Sequence, residues 1–346
     1  MNIDKLIETI IMSYEIKRPV LALSSPGVGK SSAVYQAAAL LSEKYKTTFS
    51  VIEIRGATLS PVETEDIKYV DEGVVKNATQ DWFPTEEKVA RGECPERGII
   101  FADELADGTL TAQSALQRLL LDRRLGSLTL AEGWHVVGAS NRASDKAAAG
   151  RISTASINRV IIARVEPDTD TFIKWGIQNG LNFTVIAFCR WRKGSVWNFD
   201  PAAKNENPAF CSPRSMHILS DILNAVPAPD YEWITGTIGD GVGSEFFGFL
   251  RIKDELPDLD KIERDPDSVE VPKSVDVAIA TMYALTSRLN DKNSLNILKY
   301  LKRNKIELAT MAFKDLCGMH PKLLISPVIK EWMCDPENYR LLSYGY

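Results

Sequence analysis

The sequence has few of the residues that bind transition metals or staple small folds. Only three histidines and five cysteines are spread over 346 residues. The cysteines, Cys94, Cys189, Cys211, Cys317 and Cys334, are odd in number and never spaced C-x-x-C. That excludes a zinc ribbon and argues against a disulfide scaffold. It reads as reduced thiols in a cytoplasmic compartment. His135, His217 and His320 form no ligand cluster, and a single core or surface histidine is the plain reading of each. No apolar run approaches the roughly 18 residues of a membrane helix. The N-terminus lacks the basic-then-apolar order of a signal peptide. A membrane-spanning or secreted protein is therefore not expected. Excess positive charge is missing too. With 41 Lys+Arg against 46 Asp+Glu the net charge is −5, which argues against a chain whose main task is coating nucleic acid. There is no internal repeat and no low-complexity tract.

What is present is the composition of an ordinary globular protein, 45% hydrophobic and 25% charged. At roughly 100–200 residues per domain the length implies two or three domains. Residues 2 to 16 show helical spacing through Leu6, Ile7, Ile10 and Ile11. The run Val20–Leu23 then leads through a Ser/Pro/Gly turn into an Ala-rich helix from Ser31 to Glu43. This is strand, glycine loop, helix, half of a parallel α/β unit. Further buried-strand runs are Phe49–Ile54, Gly98–Ala102, Trp134–Ala139 and Val160–Val165. Thr109–Leu121 carries the clearest helical stripe. Five strands alternating with helices predict one doubly wound parallel sheet over residues 1–167. Residues 168–253 read as mostly helical, and 254–276 as an acidic, proline-containing linker or surface-wrapping loop. Residues 277–346 return to helical patterning.

The strongest motif is Ser24-Ser25-Pro26-Gly27-Val28-Gly29-Lys30-Ser31, which follows the P-loop pattern G-x-x-x-x-G-K-[ST] between a strand and a helix. Gly27 and Gly29 permit the turn that points backbone N–H groups at phosphate oxygens. The helix adds its positive end. Lys30 would reach the β- and γ-phosphates and the Ser31 hydroxyl would ligate Mg2+. Ser25, Pro26, Val28 and Ser32 complete the expected phosphate cradle. Ser24 departs from the glycine of the pattern, though a small residue can serve at a strand end. The plainer alternative is a chance glycine turn.

Gly98–Ala102 ends in Asp103-Glu104, an apolar strand closing on two carboxylates. Asp103 would hold Mg2+ through its water shell. Glu104 would polarise the attacking water as general base. The alternative is an acidic strand end facing solvent. Trp134–Ala139 ends in Ser140-Asn141-Arg142. In a parallel sheet Asn141 would lie between the first two motifs and could orient water or touch the γ-phosphate; a turn-forming asparagine is the alternative. Ile157-Asn158-Arg159-Val160 reads as a helix end entering the last strand. Arg159 there could serve a neighbouring subunit as an arginine finger, with Arg142 and Arg151 as rivals, or be a surface-paired arginine. In Cys211-Ser212-Pro213-Arg214, Pro213 opens a helix, and from a lid Arg214 could reach the γ-phosphate.

These five elements in this order resemble an AAA+ ATPase, and within it the MoxR-like branch. The resemblance is carried further by Arg18–Leu23, Ala115–Arg124, Gly133–Arg142, Asn158–Val160 and Ser212–Ser215, and covers about residues 16–220. It implies a P-loop AAA+ α/β domain with a helical lid and extra C-terminal helices, in a layout found in bacterial and phage genomes. By the resemblance Lys30 and Ser31 are Walker A, Asp103 and Glu104 Walker B, Asn141 sensor 1, Arg159 the finger and Arg214 sensor 2. It also implies ATP with Mg2+, a homo-oligomeric ring, usually a hexamer, with active sites shared between subunits, and chaperone-like action on a protein. The partner often carries a von Willebrand factor A domain.

Two segments read as inserted hairpins, Tyr69–Val75 around an Asp-Glu-Gly turn and Leu125–Gly133. In the resembled family such insertions face the pore or a partner; simple surface hairpins are the alternative. Trp191 and Trp197 flank Arg192-Lys193-Gly194 and could stack a nucleic acid, but such aromatics more often form lid core. A DNA-acting motor and an ATP-gated scaffold with little hydrolysis stand as the other readings of the chain.

Overall fold

The computed structural model describes all residues except 65–66, 79, 143–157, 193, 203–205, 323–325 and 339–346. The chain forms two compact units, one built on Met1–Pro167 and one on Asp168–Phe199 with Lys204–Tyr346; Asp200–Ala203 groups with the first.

The first unit opens with α1 (Ile3–Glu15), capped by the Asn2 side chain accepting from Lys5 N. Its Leu6, Ile7 and Ile10 are buried, the face that the i, i+3, i+4 spacing predicts. Next come β1 (Val20–Leu23), α2 (Lys30–Tyr45) and β2 (Phe49–Arg55). A short turn of helix, α3 (Pro61–Thr64), precedes a hairpin of β3 (Ile67–Asp71) and β4 (Val74–Ala78). Then follow α4 (Glu86–Ala90), β5 (Arg97–Asp103) and α5 (Leu110–Asp122), whose cap is Thr109 accepting from Ala112 N. A small hairpin joins β6 (Arg124–Leu125) and β7 (Leu128–Thr129) before β8 (Trp134–Ser140) and β9 (Ile161–Arg164).

Five strands form one sheet in the order β2-β5-β8-β1-β9, and every pairing is parallel. The sheet is a doubly wound parallel α/β arrangement. Its central strands are mostly apolar, as a sheet covered on both faces requires; β8 is buried at all seven positions, His135 and Ser140 among them. The register sets Leu23 beside Ser140 and Ala102 beside Gly138. The carboxyl ends of β1, β8 and β5 therefore lie side by side, and that edge is where the sequence motifs fall. The first predicted hairpin is β3–β4, pairing Val70 with Val75 across the Glu72-Gly73 turn. Its Tyr69, Val70, Val74 and Val75 are exposed. The second is β6–β7, shorter than its sequence suggests.

The second unit is helical among the described residues. Its helices are α6 (Thr169–Gln178), α7 (Phe183–Trp191), α8 (Pro213–Ala225), α9 (Tyr231–Ile238), α10 (Asp240–Arg251), α11 (Leu259–Arg264), α12 (Val275–Ser287), α13 (Ser294–Lys302), α14 (Ile306–Met319) and α15 (Pro327–Met333). One hydrophobic core runs through Phe188, Met216, Phe246, Ile262, Tyr283, Leu298 and Phe313 to Ile329.

The segment read as a linker is not wholly loop. Asp258 caps α11 by accepting from Lys261 N, and Ile262 is fully buried. The prolines at 257, 266 and 272 flank this short helix instead of breaking it. The aromatics weighed as a stacking platform are engaged internally. Trp191 stacks on Phe249 at 5.3 Å, and Trp197 packs edge-on against Phe199 and Phe210. No helix among the described residues is long and apolar enough to cross a membrane.

Candidate functional site

The glycine loop leaves β1 at Ser24 and enters α2 at Lys30. Gly27 has φ 80° and Gly29 φ 111°, backbone that L side chains rarely adopt. Gly29 is the N-cap of α2 and offers no side-chain acceptor, so the first amides of a sixteen-residue helix point out of the loop. Such an end favours an anion through both its N–H groups and its dipole.

Lys30 is buried. Its ammonium donates to the Ser24 Oγ at 3.0 Å, to the Ser24 and Ser25 carbonyls at 3.3 and 3.4 Å, and to the Asn141 Oδ1 at 3.4 Å. The last contact joins the loop to the end of β8. Asn141 thus stands between the strand ends that carry Lys30 and Asp103, as the parallel order requires. Ser24 also has a structural part: its N–H donates to the Ser140 carbonyl at 3.4 Å and its hydroxyl to the Ser25 carbonyl at 2.8 Å. Ser31 and Ser32 are half-buried in the first turn of α2, and Ser32 Oγ accepts from Gln36 Nε2 at 3.0 Å.

Asp103 is the last residue of β5. One carboxylate oxygen accepts from Glu104 N at 2.8 Å, which leaves the other for a cation or its water. Glu104 has φ 51°, a left-handed conformation that costs a non-glycine residue about 1–2 kcal/mol. Both neighbouring peptides are pinned. Asp103 O accepts from Gly56 N at 2.9 Å, and Leu105 N donates to Ala139 O at 3.0 Å. Strands on either side therefore hold the strained residue.

Two features here are not visible in the motif pattern. Asp107 turns back toward the site, donating its N–H to Glu104 O at 2.9 Å. Burial pushes its carboxyl up, the Asp103 carboxylate adds to that, and Lys30 opposes it. Its Oδ1 is buried without a partner, and so is Ser140 Oγ. Arg55, at the end of β2, is held by Glu53 at 2.8 Å. Its charge is stabilised chiefly by Glu53, with Glu104 and Asp103 adding at longer range. The only sequence signal for either is a charged residue just beyond an apolar run.

The residues fit a magnesium nucleotide by their chemistry. Ser31 and Asp103 offer hard oxygen donors, as Mg2+ prefers. The orphaned Asp107 Oδ1 is an acceptor that the water of a hydrated ion would satisfy, and the orphaned Ser140 hydroxyl can donate as well as accept.

The candidate arginines fall elsewhere. Arg142 donates to Val165 O at 2.6 Å and pairs with Glu166 at 2.6 Å. Arg159 lies just before β9, near the amino-terminal edge of the sheet. It lines a cavity of about 460 Å3 with Lys17, Arg18 and Arg123 and pairs with Asp122 at 2.7 Å. That surface pair is what the plainer reading of Arg159 expects. Arg151 and Ile157 fall outside the described residues. Arg214 belongs to the second unit, exposed in the first turn of α8, where Ser212 and Ser215 form a reciprocal cap and Pro213 opens the helix.

No protein-family profile and no curated protein matches the chain. Solved structures share part of its path. PCH-2 of C. elegans is 15% identical over 73% of this chain and 69% of that one, with a TM-score of 0.38. A point mutant of Thermotoga maritima RuvB is 16% identical over 85% of this chain and 86% of that one, with a TM-score of 0.36. NtrX of Brucella abortus, solved in complex with ADP, is 16% identical over 92% of this chain and 62% of that one, with a TM-score of 0.38. Similarity at this level transfers no role to this chain.

Proposed function

We propose that the chain is an ATP-hydrolysing AAA+ ATPase of the MoxR-like kind, a ring-forming, chaperone-like remodeller of a protein partner. The observation that most supports this is the meeting of three motifs at adjoining ends of parallel strands: Lys30 after β1, Asn141 after β8 and Asp103-Glu104 at β5. Residues Ser25–Ser32 would bind the phosphates of ATP. Ser31 and Asp103 would hold Mg2+, which supplies charge neutralisation of the β- and γ-phosphates. Glu104 would take a proton from the attacking water, and Asn141 would orient that water. Arg159, presented to a neighbouring subunit, would stabilise charge on its γ-phosphate, and Arg214 would couple the helical unit to hydrolysis. Net acidity supports a protein over DNA as substrate, in the cytoplasm. A partner with a von Willebrand factor A domain is the one the family resemblance suggests.

The test is ATP turnover per subunit against protein concentration. Turnover should rise cooperatively, and Glu104→Gln should lower it by roughly 10²–10⁴-fold while ATP still binds. Flat, negligible turnover with tight ATP binding would overturn the motor reading in favour of a nucleotide-gated scaffold.

A further inference from the structure

Glu104 can act on a water only if its carboxylate leaves the backbone in a fixed direction, and the structure shows what holds that backbone. A side-chain Cβ at Gly56 would lie 2.4 Å from the Glu104 carbonyl oxygen. A Cβ at Gly108 would lie 2.2 Å from the Gly56 carbonyl oxygen. Ordinary contact begins near 3.4 Å, so either addition demands about 1 Å of backbone movement. Three backbone segments thus stack without space between them: the turn after β2, the residue after β5, and the loop entering α5. The middle segment is the one with φ 51°.

Hydrogen bonds fix the same stack along the chain. Gly56 N donates to Asp103 O, and Asp107 N to Glu104 O, each at 2.9 Å. Leu105 N donates to Ala139 O of β8 at 3.0 Å. With the peptides on both sides tied, the direction of the Glu104 Cα–Cβ bond follows from its φ, and its φ depends on Gly56 leaving room for the carbonyl.

We propose that Gly56, backed by Gly108, is a positioning residue for the general base. It carries no side chain so that the Glu104 peptide can occupy the left-handed conformation that aims the carboxylate. The proposal rests on Glu104 being the base, as read above.

The experiment uses the full chain with Gly56→Ala, Gly108→Ala, Glu104→Gln and the double variant Gly56→Ala/Glu104→Gln. A displacement of about 1 Å in a reacting group lowers turnover by about 10²-fold. Gly56→Ala should therefore lose about that much, and Gly108→Ala should move the same way. Affinity for ATP, read by fluorescent-analogue titration, should stay within about 3-fold, since the loss belongs to the chemical step and not to binding. In the Glu104→Gln background the Gly56→Ala change should remove nothing further, because both act on one group.

Turnover of Gly56→Ala within about 3-fold of the parent overturns the proposal. So does a parallel loss of ATP binding, an undiminished further loss in the Glu104→Gln background, or failure of both glycine variants to fold, since the glycines would then serve the fold alone. Unchanged turnover in Glu104→Gln by itself would instead refute the reading of Glu104 as base.

Discussion

Removing the Asp315 carboxylate should loosen the second unit as a whole. Asp315 is buried on α14, and Arg190 of α7 grips it with two bonds, Nε to Oδ2 at 2.9 Å and Nη2 to Oδ1 at 2.8 Å. Tyr283 of α12 donates its hydroxyl to the same Oδ2. Asp170 of α6 takes the remaining face of the guanidinium at 2.6 Å. Burial, then the Asp315 charge, pushes the Tyr283 hydroxyl far up. Burial works against the Arg190 charge, but the bonds and charge of Asp315 outweigh it and raise the guanidinium. Asp315→Ala strands that cation. Breaking a buried pair by removing one partner costs about 3–5 kcal/mol. Arg190 keeps Asp170 and is 20% exposed, so the lower end, about 3 kcal/mol, is expected. For a unit of this size that is a fall in Tm of roughly 6–12 °C. Asp315→Asn keeps an acceptor and should cost less, about 1–2 kcal/mol. Thermal unfolding followed by tryptophan emission reads it: Trp175, Trp191, Trp197, Trp233 and Trp332 report on this unit, against Trp82 and Trp134 in the other. A shift under about 2 °C for Asp315→Ala, or equal losses in the two variants, would refute the reasoning.

Two further outcomes follow from the first unit. His135 is buried, and burial, followed by the Arg123 charge, lowers its pKa from 6.5 to about 4. Its folded value is depressed, so the stability it contributes is present above pH 6.5 and is lost as pH falls toward 4, about 3 kcal/mol in all. Urea unfolding at pH 7 and pH 4.5 should show the wild type losing about 2 kcal/mol more than His135→Asn, which lacks that proton; equal losses would contradict the assignment. Arg159→Ala removes only an exposed pair with Asp122, worth about 0–1 kcal/mol. It should leave stability and ATP affinity intact and abolish cooperative turnover; normal turnover would sink the finger assignment.

The parts of the site that sequence makes legible are those where backbone geometry allows few residues. Gly27 and Gly29 are forced by their positive φ, and Lys30 follows from them. Asp103-Glu104 shows because an apolar strand ends abruptly in charge. The order β5-β8-β1 lies beneath these motifs but is not written in any one of them; it comes from pairings between strands far apart in the chain. Other features depend on contacts between residues far apart in the chain. Gly56 looks like any glycine after a strand until the Glu104 carbonyl is placed against it. Arg190 and Asp315 are 125 positions apart, and no local pattern links them. In residues 254–276 the prolines dominate the local signal and hide α11, which exists because Asp258 caps it and Ile262 has a core to enter.

Ser24 is the one place where the loop departs from its pattern, and the structure gives the departure a consequence. The strand end must continue the β1–β8 ladder, which Ser24 does through its N–H to Ser140. It must also be small, because the position is fully buried. Serine meets both conditions and adds a hydroxyl that accepts from Lys30 at 3.0 Å. A buried ammonium needs such acceptors, and here they come from the strand end before the loop and from Asn141 on the neighbouring strand. The lysine that would meet the phosphates is therefore already coupled to the asparagine that would sense them. Movement of that ammonium toward a ligand would change its contact at the end of β8, two residues from the Ala139 carbonyl that pins the Leu105 peptide beside Glu104.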